Sequence, residues 1–259
     1  MMLEGRSISK GKGQGKALVI NGPFSFLGGV DTKTGNMTVS SGRDGENLKE
    51  RVFVFTRGKG STVGSYTILD LKKNGNLPAA IINREAETIV ATGAVMASVP
   101  MVDGIDIGLI QDGDDVEVDA DNGKVNIIGL EETAVVTCIL QHEGKFLILK
   151  RSDKVSTNKL KWAGISGYIE KGETPLETAY KEISEEVQVP EPKLLKILPV
   201  IRIRSEGRLW AIHPFHFESA TDKVQLDWEH TESQWITMAQ LKDFDVVNGL
   251  KDLLHDIYG

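Results

Sequence analysis

Between Gly167 and Val189 the chain reads GYIEKGETPLETAYKEISEEVQV. Its middle has the marks of a sharply started helix: Thr174, Pro175 and Glu177 stand where a cap, a first helical residue and a first-turn acid are favoured. Leu176, Ala179, Ile183 and Val187 then recur at helical spacing and mark one apolar side. That side needs a surface to lie on, so the stretch calls for a strand–loop–helix setting. Glu182, Glu185 and Glu186 fall at i, i+3 and i+4, which gathers their carboxylates on a common face. Like charges so close repel, and clustered carboxylate oxygens suit a hard divalent cation, Mg²⁺ or Mn²⁺. Such a cation would neutralise a pyrophosphate and activate water. The bland reading of the cluster is a solvated acidic helix face.

The rest of the chain divides ahead of this helix. Residues 111 to 130, QDGDDVEVDADNGKVNIIGL, alternate polar and apolar around an Asn-Gly turn, which predicts a closing β-hairpin. A fresh pattern opens at Thr133, with AVVTCIL, a turn at HEGK, then FLILKR, a second hairpin. We place the boundary near Leu130, giving domains over 1–130 and 131–259. In the front domain KALVI (16–20), RVFVF (51–55) and AAIIN (79–83) read as strands. Helices are predicted across STVGSYTILDLKKNG, with Gly75 as its stop, and across ETIVATGAVMASV. The fold class is α/β and α+β in two domains.

Bulk properties exclude several functions. A net charge of −7 and a pI near 5.4 leave no general grip on nucleic acid or anionic lipid, and no Lys/Arg run is long enough to supply one locally. One cysteine, Cys138, forms no internal disulfide and cannot by itself hold an iron–sulfur cluster. MMLEGRSISKGKGQGKALVI lacks the apolar core of a signal peptide, and no stretch approaches the roughly 20 apolar residues that span a bilayer, so a cytoplasmic chain is expected.

The loop RGKGST lies between a predicted strand and a predicted helix. A nucleotide P-loop reads G-x-x-x-x-G-K-[ST], whereas Gly60 here separates Lys59 from Ser61. What remains is a glycine-rich turn that leaves Ser61 at the positive end of a helix. Ser61 or Thr62 there is either an N-cap, or Ser61 is a hydroxyl that loses its proton, with backbone N–H groups and Arg57 stabilising the alkoxide.

The front domain resembles the swivelling small domain or subunit of aconitase X, in particular the archaeal phosphomevalonate dehydratase small subunit. SKGKGQGKALV, PFSFLGGVD, FTRGKGSTVGSY, LKKNGNLPAAIINREAETIVATGA and PMVDGI carry the likeness from about Arg6 to Ile128. It implies a swivelling β/β/α domain that closes over a site built mainly by a separate large subunit, which holds the iron–sulfur cluster. In the related aconitases the serine after G-x-G is the base, and that position is Ser61. The implied reaction removes water from (R)-5-phosphomevalonate to give trans-anhydromevalonate 5-phosphate in a modified mevalonate route. Gly60, Thr62, Gly28 and Gly29 are candidate substrate-binding residues beside Ser61. Arg57 is either a substrate contact or a structural ion pair, and Asp31 reads as a turn residue.

The second domain resembles the Nudix hydrolases, whose box runs G-x5-E-x7-R-E-U-x-E-E-x-G-U. Gly167, Glu173, Glu182, Ile183, Glu185, Glu186 and Val189 match it; Lys181 replaces Arg and Gln188 replaces Gly. The likeness implies an α/β/α sandwich with Mg²⁺ or Mn²⁺ held by Glu182, Glu185, Glu186 and the Gly167 carbonyl. It also implies a brace between Glu173 and residue 181, and a small-molecule diphosphate substrate. An ammonium lacks the bidentate fork of a guanidinium, and Gln188 removes the residue that eases the turn after the helix. Glu229 and Glu232, in DWEHTESQW, offer a further ligand, a base or a surface role. His213, His216 and Trp162 read mainly as packing residues, with weak substrate contact open for the histidines. The alternative to hydrolysis is a domain that senses a nucleotide or diphosphate and regulates the dehydratase. An isopentenyl diphosphate isomerase fits poorly, because Cys138 lies in an alternating strand and reads as buried.

Overall fold

The computed structural model describes residues 1–205 and 207–258, and the chain splits into two compact units, Met1–Glu131 and Glu132–Gly259. The first contains β1 (Met2–Glu4), β2 (Arg6–Ser9), β3 (Lys12–Ile20), the single turn α1 (Phe26–Gly29), β4 (Val52–Phe55) and α2 (Val63–Lys73). It continues through β5 (Ala80–Asn83), α3 (Thr88–Ala97), β6 (Met101–Asp103), β7 (Asp115–Asp119) and β8 (Lys124–Ile127). These strands form one sheet in the order β1-β8-β7-β3-β4-β5-β6-β2. β3 joins its two halves: Lys12–Lys16 pairs antiparallel with β7, and Ala17–Ile20 runs parallel to β4.

The parallel half is buried along its length, as the unbroken run VFVF of β4 requires. Leu18, Phe53, Phe55 and Ile81 pack with Ile68 and Leu71 of α2 and Val90 and Ala94 of α3. Phe24 and Phe26 join Phe53 and Phe55 in an aromatic cluster, with Phe24 edge-on to Phe53 at 4.8 Å. Burying each such ring contributes about 1.5–3 kcal/mol. The predicted stop of α2 is a Schellman turn: Gly75 (φ 71°) donates to the Lys72 carbonyl, and Asn76 to that of Leu71. That turn fixes where α2 ends, while its N-terminus follows the loop after β4.

The second unit begins with the hairpin β9 (Glu132–His142) and β10 (Lys145–Arg151), closed by Glu143 and Gly144, both at positive φ. That is the two-residue turn whose twist matches paired strands. β11 (Trp162–Ala163), β12 (Ile165–Tyr168) and α4 (Pro175–Glu186) follow, then β13 (Lys193–Ile197), β14 (Ile201–Ser205), β15 (Arg208–Glu218), β16 (His230–Ile236) and α5 (Leu250–Tyr258). β15 lies parallel to β9, so the sheet is mixed. Strand alternation builds two cores. Val136, Cys138, Leu147 and Leu149 face Ala179 and Ile183 of α4, while Ile139, Phe146 and Ile148 face Leu250, Leu253 and Leu254 of α5. The unit is an α/β/α sandwich, with α4 held against the strand that carries Gly167.

Candidate functional site

The start of α4 is fixed by a reciprocal cap: the Thr174 hydroxyl accepts from the Glu177 N–H at 3.3 Å, and the Glu177 carboxylate accepts from the Thr174 N–H at 2.9 Å. From that start the helical period carries Glu182 and Glu186 towards β12. The Glu182 carboxylate occupies the space where a Cβ of Gly167 would lie, so residue 167 can carry no side chain without displacing it. Glu186 is 3% exposed; its Oε1 accepts from the Ser166 N–H at 3.4 Å, and its Oε2 has no hydrogen-bond partner among the described residues. Glu185, one residue earlier, is exposed. The acidic face is therefore graded from solvent to interior.

Burial makes that gradient electrostatic. Glu182 is pushed up to about 7, first by burial and then by the Glu185 charge, with Lys181 opposing and Glu229 and Glu173 adding to the rise. Glu186 is pushed well above the usual carboxylate range by burial, then by Glu182, Asp227 and Glu229. Among the described residues no three His, Cys, Asp or Glu side chains close a cation cage. The hard oxygen donors, one of them buried and unpaired, nevertheless match what Mg²⁺ or Mn²⁺ takes as ligands.

In the first unit Ser61 is exposed just ahead of α2, and its Oγ accepts from the Val63 N–H at 3.4 Å. Gly60 before it has φ 115°. The loop is zipped to the PFSF segment: Phe24 donates to the Arg57 carbonyl at 3.0 Å and Lys59 to the Phe24 carbonyl at 2.9 Å. Arg57 and Lys59 line a cavity of about 460 Å³ that extends to Glu87 and Thr88 at the start of α3. Arg57 is exposed and, among the described residues, has no ion-pair partner.

Residues 2–127 match the family model for the aconitase X swivel domain, and residues 130–257 that for the NUDIX domain. Over 128 residues the chain is 58% identical to the phosphomevalonate dehydratase small subunit of Thermococcus sibiricus, which covers 49% of this chain and 98% of that protein. The chain belongs to the phosphomevalonate dehydratase small-subunit family, with a Nudix domain behind it. A holo-form crystal structure of aconitase X from Thermococcus kodakaraensis is 51% identical, covers 49% of this chain and 98% of that one, and gives a TM-score of 0.48. For the MutT protein of Methanosarcina mazei Go1 the identity is 20%, the coverage 50% and 94%, and the TM-score 0.45.

In the small-subunit domain, Thr62 occupies the N-cap position of α2 without making a side-chain cap. Gly28 (φ 80°) has its carbonyl taken by the Thr38 and Ser40 hydroxyls at 2.5 and 2.6 Å, and Gly29 backs on the Phe24 ring. Asp31 accepts from the Lys33 and Thr34 N–H groups, a turn role. Ser61 and Arg57 thus lie on one loop, with Gly28 and Gly29 on the segment that follows Phe24.

In the Nudix domain the two departures from the box, Lys181 and Gln188, are each accommodated locally. Lys181 Nζ reaches Glu173 Oε1 at 3.2 Å, and the oxygen that a second guanidinium nitrogen would engage accepts instead from the Thr178 hydroxyl at 2.9 Å. The Thr178 bond, then that from Lys181, holds Glu173 below its usual range. Gln188 adopts φ 53°, the left-handed conformation that a glycine would take without strain.

Glu232 is ion-paired with Lys150 at 2.6 Å, whereas Glu229 lies near enough to raise Glu182 and Glu186. Asp227 and His230 escaped sequence reasoning. His230 is buried between Asp227 and Glu186, and no spacing ties it to the box; the acidic DWEH string was the sole signal. His216 bonds to Gln141, Trp162 packs edge-on to Phe244, and Cys138 is fully buried, all core roles. No described helix is long and apolar enough to cross a membrane.

Proposed function

We propose that the chain is the small-subunit component of an archaeal-type phosphomevalonate dehydratase fused to a Mg²⁺-dependent Nudix diphosphate hydrolase. For the first activity, Ser61 is the base that takes the proton from (R)-5-phosphomevalonate as water leaves to form trans-anhydromevalonate 5-phosphate. Its exposed hydroxyl at the positive end of α2, with the Val63 N–H donating to its Oγ at 3.4 Å, supports this reading, because that dipole and donor stabilise a deprotonated oxygen. Arg57, exposed and without an ion-pair partner among the described residues, contacts the substrate with Gly60, Thr62, Gly28 and Gly29. The chain's one cysteine is buried in the other domain, so the iron–sulfur cluster belongs to the large subunit, which completes the site in the cytoplasm.

The experiment is to mix the full chain with that large subunit and (R)-5-phosphomevalonate. Ser61→Ala is expected to slow dehydration by about 10²–10⁴-fold, the range for loss of a positioned base. An unchanged rate would rule Ser61 out.

For the second activity, Glu182, Glu185, Glu186 and the Gly167 carbonyl would hold Mg²⁺ or Mn²⁺. Bound there, the cation supplies charge neutralisation for a pyrophosphate and a more acidic water. Lys181 and Glu173 brace the loop that leads into α4. Gly167 leaves room for Glu182, and Glu229 is the further acid facing the site. The observation that carries this reading is the buried, unpaired Glu186 Oε2 beside a half-buried Glu182 pushed to about 7. The substrate class is a nucleoside diphosphate linked to a second group, or an isoprenoid diphosphate. A substrate panel tests it, with Glu186→Gln expected to lower hydrolysis by about 10²-fold or more. Tight diphosphate binding without product in the parent would instead assign the domain to sensing.

A further inference from the structure

Glu186 and His230 meet in a way that the box does not account for. Their side chains are 4% and 1% exposed, and Glu186 Oε2 lies 3.7 Å from His230 Nε2. Among the described residues neither atom has a hydrogen-bond partner. Across the ring, His230 Nδ1 lies 2.9 Å from Asp227 Oδ1, whose partners are that ring and the Glu229 N–H. A carboxylate only accepts, so Nδ1 carries the proton and donates it to Asp227. The tautomer is thereby set, and the Nε2 lone pair faces Glu186 Oε2. Two lone pairs facing each other in a dry pocket need a proton or a cation between them.

We infer that Glu186 Oε2 and His230 Nε2 are two ligands of one divalent transition-metal ion, with Asp227 as the residue that orients the imidazole. An outer carboxylate on the far ring nitrogen is the usual support for a histidine ligand, because it fixes the ring and raises its basicity. The 3.7 Å gap between the two atoms is one that a single ion would span with ligand bonds of about 2.1 Å to each. One nitrogen ligand in an otherwise oxygen set shifts preference away from Mg²⁺ and towards Mn²⁺ or a later first-row ion. The inference rests on the reading that Glu186 binds a cation, and adds to it a ligand from outside the box, on a strand that begins at His230.

The test uses the full chain stripped with EDTA and titrated with Mn²⁺ or Mg²⁺ in a calorimeter, followed by pulsed electron paramagnetic resonance of the bound Mn²⁺. The expected result is tighter binding of Mn²⁺ than of Mg²⁺ and a nitrogen-14 modulation from directly bound imidazole. His230→Ala should remove that modulation and weaken Mn²⁺ about 10–100-fold, and Asp227→Asn should weaken it in the same direction while keeping the ring. If His230→Ala does not fold, the parent spectrum and Asp227→Asn decide. Bound Mn²⁺ without nitrogen modulation overturns the inference and leaves the cation reading of the box standing. No binding of either ion overturns both.

Discussion

The two candidate sites are built at opposite ends of their helices. In the small-subunit domain α2 offers its N-terminus to Ser61, with no acid in the first turn, and its basic Lys72 and Lys73 sit in the last turn, where the helix dipole favours them. In the Nudix domain Glu182, Glu185 and Glu186 crowd the C-terminal half of α4, with no basic residue in the last turn, against the dipole and partly under burial. The first site is exposed and relaxed and invites an anion. The second is strained and invites a cation. A site that stores electrostatic stress shows itself in one chain alone, whereas a relaxed site of exposed hydroxyls and glycines takes its chemical meaning from what closes over it.

The largest test of that contrast is Gly167→Ala. The new Cβ would take the place of the Glu182 carboxylate, and moving a ligand by about 1 Å costs on the order of 10²-fold in rate. Metal-dependent hydrolysis should fall by about that factor while dehydration, reconstituted with a large subunit, is unchanged. Equal loss in both assays would mean that the domains do not work as separate sites.

A smaller effect separates the domains by pH. Glu182 titrates near 7 in the fold against an ordinary 4.5, and Glu186 moves the same way. A carboxylate raised by folding favours the native state while it is protonated, so its contribution is present below about 4.5 and is lost as pH rises through about 7. Glu185, Glu229 and Glu173 deepen that loss and Lys181 opposes it. Asp103 and Asp112 in the other domain run the opposite way. Burial alone would raise them, but hydrogen bonds from Arg6 and the Ala86 N–H, and from Arg43 and the Val19 N–H, outweigh it and hold both below 3.8. Their contribution is present above that value and is lost as pH falls beneath it. Hydrogen exchange of the metal-free chain, corrected for intrinsic rates, should show Nudix-core amides loosening from pH 5 to pH 8, and Mg²⁺ suppressing the change. A flat Nudix profile would mean that the buried carboxylates put no stress on the fold.

Legibility in the sequence followed the range of the interaction. The α4 cap at Thr174, the α2 stop at Gly75 and the Glu143-Gly144 turn are local and were readable from residue type and spacing. Helical period also gave the angular position of Glu182, Glu185 and Glu186. It could not give their depth, because Glu186 is buried by its fit against Ser166 on β12 and against His230 at the start of β16. Asp227 and His230 enter the site through long-range contacts, the Asp227 N–H donating to the Glu186 carbonyl at 3.3 Å and His230 opening β16, which pairs with β10. For Arg57, an ion pair or none was equally compatible with the local sequence; the folded loop supplied none among the described residues.

The finest probe is Gln188→Gly, and it asks whether the Nudix helix ends under strain. Gln188 holds φ 53° one residue beyond Val187, the C-cap of α4, where a Cβ crowds the following carbonyl. The helix cannot relax by shifting register, because Val187 and Val189 on either side are buried in the α4 core and fix the chain through the turn. Glycine removes the crowding but adds freedom to the unfolded chain, so the two effects partly offset. The net expectation is a gain of about 0.5–1 kcal/mol, read as a raised denaturation midpoint with an unchanged slope. Gln188 is exposed and has no hydrogen bond to the carboxylates among the described residues, so hydrolysis should stay at the parent rate. A stability gain with lost hydrolysis would mean that the strained turn helps to hold Glu186 in place, and that the stress in this domain is mechanical as well as electrostatic.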